Sequence, residues 1–213
     1  SSLRALSGWR TLHKRRLLSL GGTPHPSGSW SLPLPDFLQE LANELAPLFG
    51  GKAPNQLLVN EYEAGQGIDP HKDGPLYEST AAIVSLESSA VLDFLSISDG
   101  DEGSNCDHDH DHGYGVSVCS VLLEPGSLVV FSQGAYEELK HGIASRESDT
   151  VIVGTPPAAV TMARGRRISI TFRRFRNVAK ELQDATDVAL LNEEERSELR
   201  RREEWFAGSV SEG

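Results

Sequence analysis

Between Asp36 and Gly51 the apolar residues Phe37, Leu38, Leu41, Leu45 and Leu48 recur at intervals of three and four, which is the spacing of one helical face. Asp36, after Pro35, supplies an N-terminal cap, and Gly50-Gly51 supplies a stop. Beyond Gly51 the pattern changes to short apolar runs bounded by turn residues: Gln56 to Tyr62, Ile68 to Asp73, Ala81 to Leu86, Val91 to Leu95, Val118 to Leu123, Ser127 to Phe131 and Arg167 to Arg174. With no helical segment between them, such runs predict an antiparallel jelly roll or a related double-stranded barrel rather than parallel βαβ units. Residues 1–30 are basic and rich in Gly and Pro, and predict a surface arm or lid. Residues 97–116 predict an acidic loop inserted between two strands. In residues 177–213, Glu193-Glu194-Glu195-Arg196 and Glu198 to Glu204 place opposite charges three or four apart, which predicts a solvated helical tail. The expected class is therefore mainly β, with an N-terminal helix and a C-terminal helical tail.

A chain of 213 residues with 38% hydrophobic side chains has material for one ordinary core plus appendages. No stretch approaches the roughly 18 uninterrupted apolar residues of a membrane span, and no charged start leads into an apolar secretory run. A membrane partner is not expected. Cys106 and Cys119 make neither a disulfide framework nor a paired-cysteine zinc motif. A reducing intracellular compartment, nucleus or cytoplasm, is the expectation, and Ser1 in place of an initiator Met leads us to expect a natural start further upstream. The net charge of −11 is concentrated in Asp99 to His112 and in the tail; elsewhere acids and bases balance. Basic clusters at Lys14-Arg15-Arg16 and from Arg164 to Arg176 leave room for a nucleic-acid partner without supplying its full charge footprint.

The chemistry concentrates at His71-Lys72-Asp73. In a strand, positions i and i+2 face the same way and set an imidazole beside a carboxylate. A third ligand must come from elsewhere, and His141 is the candidate. Two His and one carboxylate on one face of a metal leave the other face open, as non-haem Fe(II) needs in order to bind an oxo-acid and O2. A bare H-x-D is usually an ordinary surface pair. The second cluster changes that weighting: in Arg167-Ile168-Ser169-Ile170-Thr171-Phe172-Arg173, a strand puts Arg167, Ser169, Thr171 and Arg173 on one face and the apolar residues on the other. Inward-facing guanidinium groups call for an anion, and a dicarboxylate would satisfy both. Asn60 and Tyr62 share a face of their own strand and can add hydrogen bonds to the same acid.

Taken in order, N-x-Y, H-x-D, a distant His and R-x-x-x-x-x-R, the sequence resembles the AlkB family of Fe(II)- and 2-oxoglutarate-dependent dioxygenases, and within it most closely the sixth eukaryotic branch. The likeness runs from about Trp9 to Arg176. It includes Gly21-Gly22-Thr23-Pro24-His25-Pro26, Pro70-His71-Lys72-Asp73-Gly74-Pro75-Leu76-Tyr77, Val91-Leu92-Asp93-Phe94, Leu122-Leu123-Glu124-Pro125-Gly126-Ser127-Leu128 and His141-Gly142-Ile143. The resemblance implies a double-stranded β-helix over residues 1–176, with iron held by His71, Asp73 and His141. It implies that Asn60 and Arg173 hold the metal-chelating end of 2-oxoglutarate, and that Tyr62 and Arg167 hold its distal carboxylate. It further implies oxidative demethylation, with O2 consumed, of methylated DNA or RNA or of a protein side chain. Ser145 to Gly165 looks long for the family, and the acidic loop has no counterpart in its familiar members.

Weaker signals complete the reading. Lys14, Arg15 and Arg16, beside Trp9 and Arg10, fall where the resemblance places a lid over the substrate, and Tyr77 is a candidate aromatic at the mouth. His108, His110 and His112 alternate with Asp107, Asp109 and Asp111 in a loop that reads more simply as solvated chain than as a divalent-metal site. A binding module with little catalysis, and a metal-binding protein acting through this loop, are the competing functions.

Overall fold

The computed structural model describes residues 2–21, 33–96 and 115–178. Six strands form the larger sheet in the order β1 (Arg10–Leu12), β2 (Arg15–Leu20), β3 (Gln56–Tyr62), β12 (Arg167–Arg173), β5 (Thr80–Leu86) and β8 (Leu128–Ser132). Four form the smaller sheet: β4 (Ile68–His71), β9 (Leu139–Ile143), β6 (Ala90–Ser96) and β7 (Ser117–Leu123). A separate hairpin joins β10 (Ser148–Val153) to β11 (Ala158–Ala163). Neighbouring strands pair antiparallel throughout. Among the described residues no strand pairing joins the two sheets, so the mainly β expectation is met without a closed barrel. The expected C-terminal helix, the His-rich loop and the Gly/Pro-rich end of the arm lie outside the described residues.

The alternation of β12 decides how the layers stack. Ile168, Ile170 and Phe172 point outward into a core completed by Leu57 and Val59 of β3 and by Leu38 and Ala42 of α1 (Asp36–Glu44). A helix starts where the spacing predicts, but it ends at Glu44 and Ala46–Phe49 continues as a 3-10 turn that stops at Gly50; Pro35, not Asp36, holds the cap position and no side chain caps the N-terminus. On the other side of the sheet a second core gathers Ala81, Ile83, Leu92, Phe94, Leu123 and Phe131 between the two layers. In β12 and β5 the outer face is thus apolar and the inner one mixed, while β2 and β3 also carry the Arg16–Glu61 pair on the outer face.

Two elements exceed the sequence reading. The stretch expected as an irregular arm contains β1 and β2, and β2 pairs along β3 from Arg16↔Glu61 to Leu20↔Leu57. Leu17 and Leu18 are buried there, so apolar burial outweighs the basic composition that made the segment look like a loop. The long segment after His141 is the β10–β11 hairpin, fixed at its base by a buried ion pair. Asp149, 2% exposed, accepts from Arg164 at 2.5 and 2.6 Å, from Arg146 at 2.7 Å and from the Val91 amide at 3.2 Å. Burial pushes the Asp149 carboxyl up, but the Arg164 and Arg146 hydrogen bonds win and its pKa is lowered. Asp149→Ala strands a buried guanidinium and is expected to cost about 3–5 kcal/mol in urea unfolding; a loss below 1 kcal/mol would mean that water already reaches the pair.

Candidate active site

β4 and β9 bring the candidate ligands together by direct pairing of His71 with His141. The ladder between Ile68 and His71 is irregular because Pro70 has no N–H to give. Gly142 permits the close approach: a Cβ there would sit 2.9 Å from the Pro70 nitrogen and 3.0 Å from the Ile68 carbonyl oxygen. β4 ends at His71, so Asp73 is delivered by the following loop rather than by strand alternation. The result is still a cluster, since one ligand atom each from His71, Asp73 and His141 lie within 4.8 Å of one another.

The electrostatics suit a metal. The His141 ring packs 4.9 Å from Phe131 and 6.1 Å from Phe94, and this burial, reinforced by the nearby His71 and only partly opposed by Asp73, lowers its pKa to about 4. Burial also lowers His71, against the opposing pull of Asp73. His71 Nδ1 lies 2.9 Å from the Asp69 carbonyl oxygen, so the proton sits on Nδ1 and the Nε2 lone pair is left for a metal. Both imidazoles are therefore neutral at pH 7, as ligands must be. The same shifts give a pH dependence. Because the folded pKa values lie below the unfolded one, stability is full above pH about 6.5 and falls as acid protonates the unfolded chain first, down toward pH 4. The metal-free melting temperature is expected to drop through that window and His141→Phe to flatten the drop; an unchanged slope would contradict the assignment.

β12 supplies the cations. Tyr62 pairs with Arg167, Asn60 with Ser169 and Gln56 with Arg173, so both arginines and the N-x-Y residues share one inner surface. Arg173 is engaged on two of its nitrogens: Nη1 donates to Asp73 at 2.6 Å, Nε donates to Gln56 at 2.9 Å, and the guanidinium lies 4.3 Å from the Tyr77 ring centre. Burial opposes its charge, yet Asp73 more than compensates and its pKa rises. Arg167 differs. It is 3% exposed and donates from Nη2 to Ser85 at 2.8 Å, but among the described residues Nε and Nη1 have no hydrogen-bond partner. Burial pulls its pKa down, and raises that of the Tyr62 phenol 5.7 Å away despite Arg15 and Arg167. A buried guanidinium with two donors unused by the protein fits a carboxylate.

The four side chains expected near the substrate separate. Lys14 sits at the tip of the β1–β2 hairpin and bridges to Asp69 at 2.8 Å, close to the ligand strand. Arg15 reaches inward and donates from Nε to Asn60 Oδ1 at 3.0 Å. Arg16 points to the other face, pairing with Glu61 and covering Trp9 at 4.5 Å. Tyr77 is 1% exposed, stacked on Phe175 and beneath Arg173, so it stands in the core rather than at a mouth. Sequence reasoning passed over Gln56 and Ser85. Both were visible as polar residues on inner-facing positions: Gln56 in step with Asn60 and Tyr62, and Ser85 in step with Ala81 and Ile83.

The facing sheets with a His-Asp-His cluster on one side and paired arginines on the other define an oxygenase that uses iron and an oxo-acid. The chain belongs to the 2OG-Fe(II) oxygenase superfamily, whose family model matches residues 14–173, and it is related to the AlkB-type enzymes. It carries the superfamily's metal-binding triad and is an Fe(II)- and 2-oxoglutarate-dependent enzyme. A zebrafish protein named "Probable RNA/DNA demethylase ALKBH6" is 33% identical over 184 residues, covering 81% of this chain and 76% of the relative. A Xenopus tropicalis protein named "tRNA (carboxymethyluridine(34)-5-O)-methyltransferase alkbh8" is 31% identical over 166 residues, 72% of this chain but 23% of the relative. Among solved structures, that of OsALKBH1 superposes with a TM-score of 0.50 at 15% identity, covering 78% of this chain and 84% of the other, which is likeness of fold alone. Among the described residues no helix is long and apolar enough to cross a membrane.

Proposed function

We propose that the chain is an oxidative demethylase of alkylated nucleic acid, with His71, Asp73 and His141 holding Fe(II) within a double-stranded β-helix domain of residues 1–176. The observation that carries the reading is the His71-Asp73-His141 cluster, its imidazoles uncharged, on the same inner surface as Arg167, whose Nε and Nη1 have no hydrogen-bond partner among the described residues. Arg167 and Tyr62 receive the distal carboxylate of 2-oxoglutarate, while Asn60 and Arg173 hold the end that chelates the metal. The void that Arg167 shares with Tyr62, Ala90 and Ile143 measures about 10 Å³, enough for about one water.

When bound, iron, 2-oxoglutarate and O2 would together supply the oxidising power, one oxygen atom going into succinate as CO2 leaves and the other hydroxylating a methyl carbon attached to nitrogen, whose product then loses formaldehyde. The chain's own share is positional. His71 Nδ1 donates to the Asp69 carbonyl oxygen, Asp73 accepts from Arg173 Nη1, and Phe94 and Phe131 pack against His141 and shield it from water. Nucleic acid is favoured as substrate over a protein side chain because the zebrafish and Xenopus relatives both carry nucleic-acid names. Lys14, at the hairpin tip beside the ligand strand, is placed to meet a phosphate. Arg16 and Tyr77 are committed elsewhere. Such a role fits residence in the nucleus or cytoplasm.

The test is succinate release, with formaldehyde measured in parallel, against a panel of methylated DNA and RNA oligonucleotides and methylated peptides. The reading expects the two products in equal amounts with at least one oligonucleotide. Formaldehyde from the peptides alone would refute the substrate class while sparing the enzyme class.

A further inference from the structure

Arg15 lies outside every motif that defines the site, yet it touches the site. Its Nε donates to Asn60 Oδ1 at 3.0 Å, joining β2 to the inner face of β3. Its charge is also felt by Tyr62 and by His71, so the guanidinium stands among the groups that flank the metal and diacid positions. The neighbouring Lys14 fastens the same hairpin to Asp69, two residues before His71, with contacts at 2.8 and 3.0 Å. The hairpin that carries Arg15 is thus tied to β3 through Asn60 and to β4 through Asp69.

A guanidinium has only donors, so the amide end of Asn60 that faces it must be the oxygen. The opposite end, Nδ2 with its two N–H groups, is then turned away from Arg15. Left alone, an asparagine amide presents either end at little cost, and an oxygen turned toward a carboxylate repels it. We propose that Arg15 is a positioning residue of the diacid pocket, fixing the polarity of the Asn60 amide so that Nδ2 donates to the metal-chelating end of 2-oxoglutarate. The inference rests on the co-substrate reading above and adds to it a residue from the N-terminal hairpin. It makes that hairpin part of the co-substrate site as well as a cover for the substrate.

The experiment is anaerobic calorimetry of the Mn(II)-loaded protein with N-oxalylglycine, an unreactive diacid of the same shape as 2-oxoglutarate, on Arg15→Ala, Arg15→Lys, Asn60→Ala, Arg15→Ala/Asn60→Ala and Arg167→Ala. Melting temperatures establish that each variant is folded. Loss of one hydrogen bond to a charged group corresponds to a weakening of roughly tenfold or more in Kd. We expect that weakening in Arg15→Ala and in Asn60→Ala, and no further loss when the two are combined, because Arg15 acts through Asn60. Arg15→Lys keeps a donor and is expected to fall between wild type and Arg15→Ala. Additive losses would overturn the proposal, since Arg15 would then act on its own. Unchanged diacid affinity in Arg15→Ala, with Arg167→Ala defective, would also overturn it, and a raised KM for an oligonucleotide alone would reassign Arg15 to the substrate. If Arg167→Ala also binds normally, it is the co-substrate reading that fails.

Discussion

Asp73→Ala is expected to abolish succinate formation and, separately, to destabilise the metal-free protein. The two effects arise because Asp73 has two partners. As a candidate ligand it closes the cluster with His71 and His141. As a counter-ion it accepts from Arg173 Nη1 at 2.6 Å, with both side chains nearly out of solvent at 6% and 7% exposure. Removing it strands a buried guanidinium, for which the expected penalty is about 3–5 kcal/mol. His71→Ala provides the contrast. His71 is only half-buried and its recorded hydrogen bond is to the Asp69 carbonyl, so turnover should vanish while the chemical-denaturation midpoint of the metal-free protein moves little. A loss in Asp73→Ala as small as that expected for His71→Ala would show that the Asp73–Arg173 pair contributes little to the stability of the metal-free protein. Residual turnover in either would remove the iron assignment.

Arg167→Met is expected to separate binding from folding in the opposite sense. Arg167 Nε and Nη1 are buried with no protein partner among the described residues, and a charged group left without any partner costs about 1–3 kcal/mol or more. Methionine removes that cost while filling much of the same volume against Tyr62. The variant should melt at or above the wild-type temperature when no diacid is present. Saturating 2-oxoglutarate, at about 100 times Kd, adds about 2.7 kcal/mol to a protein that binds it only when folded. Wild type should show that gain under anaerobic conditions with metal, and Arg167→Met should not. A variant that loses stability without ligand yet keeps the ligand-induced gain would mean that Arg167 is a structural residue whose orphan donors have no bearing on the diacid.

These expectations were partly legible in the chain itself. The R-x-x-x-x-x-R segment reads directly, because strand alternation alone separates Arg167, Ser169, Thr171 and Arg173 from Ile168, Ile170 and Phe172. The His71–Asp73 pair was recognised for a reason that holds only in part, since β4 stops at His71 and Asp73 comes from the next loop. What stayed hidden depends on pairings that local pattern does not encode. Arg15 meets Asn60 across 45 residues and Arg173 meets Gln56 across 117. Neither β1 nor β2 announces itself, because basic side chains on a short hairpin resemble a loop until Leu17 and Leu18 are seen to be buried. The β10–β11 hairpin, uncharged from Thr150 to Ala163, depends on the Asp149–Arg164 pair at its base, which sequence spacing alone does not identify.

The most direct test of the iron and 2-oxoglutarate assignment is an anaerobic titration of the metal-free protein with Fe(II), then with 2-oxoglutarate, followed by admission of O2 and assay of succinate. The account predicts one equivalent of iron bound, 2-oxoglutarate retained only when iron is present, and succinate formed on admitting O2, with all three lost in a His71→Ala/His141→Ala variant. Stoichiometric iron and succinate in that double variant would contradict it.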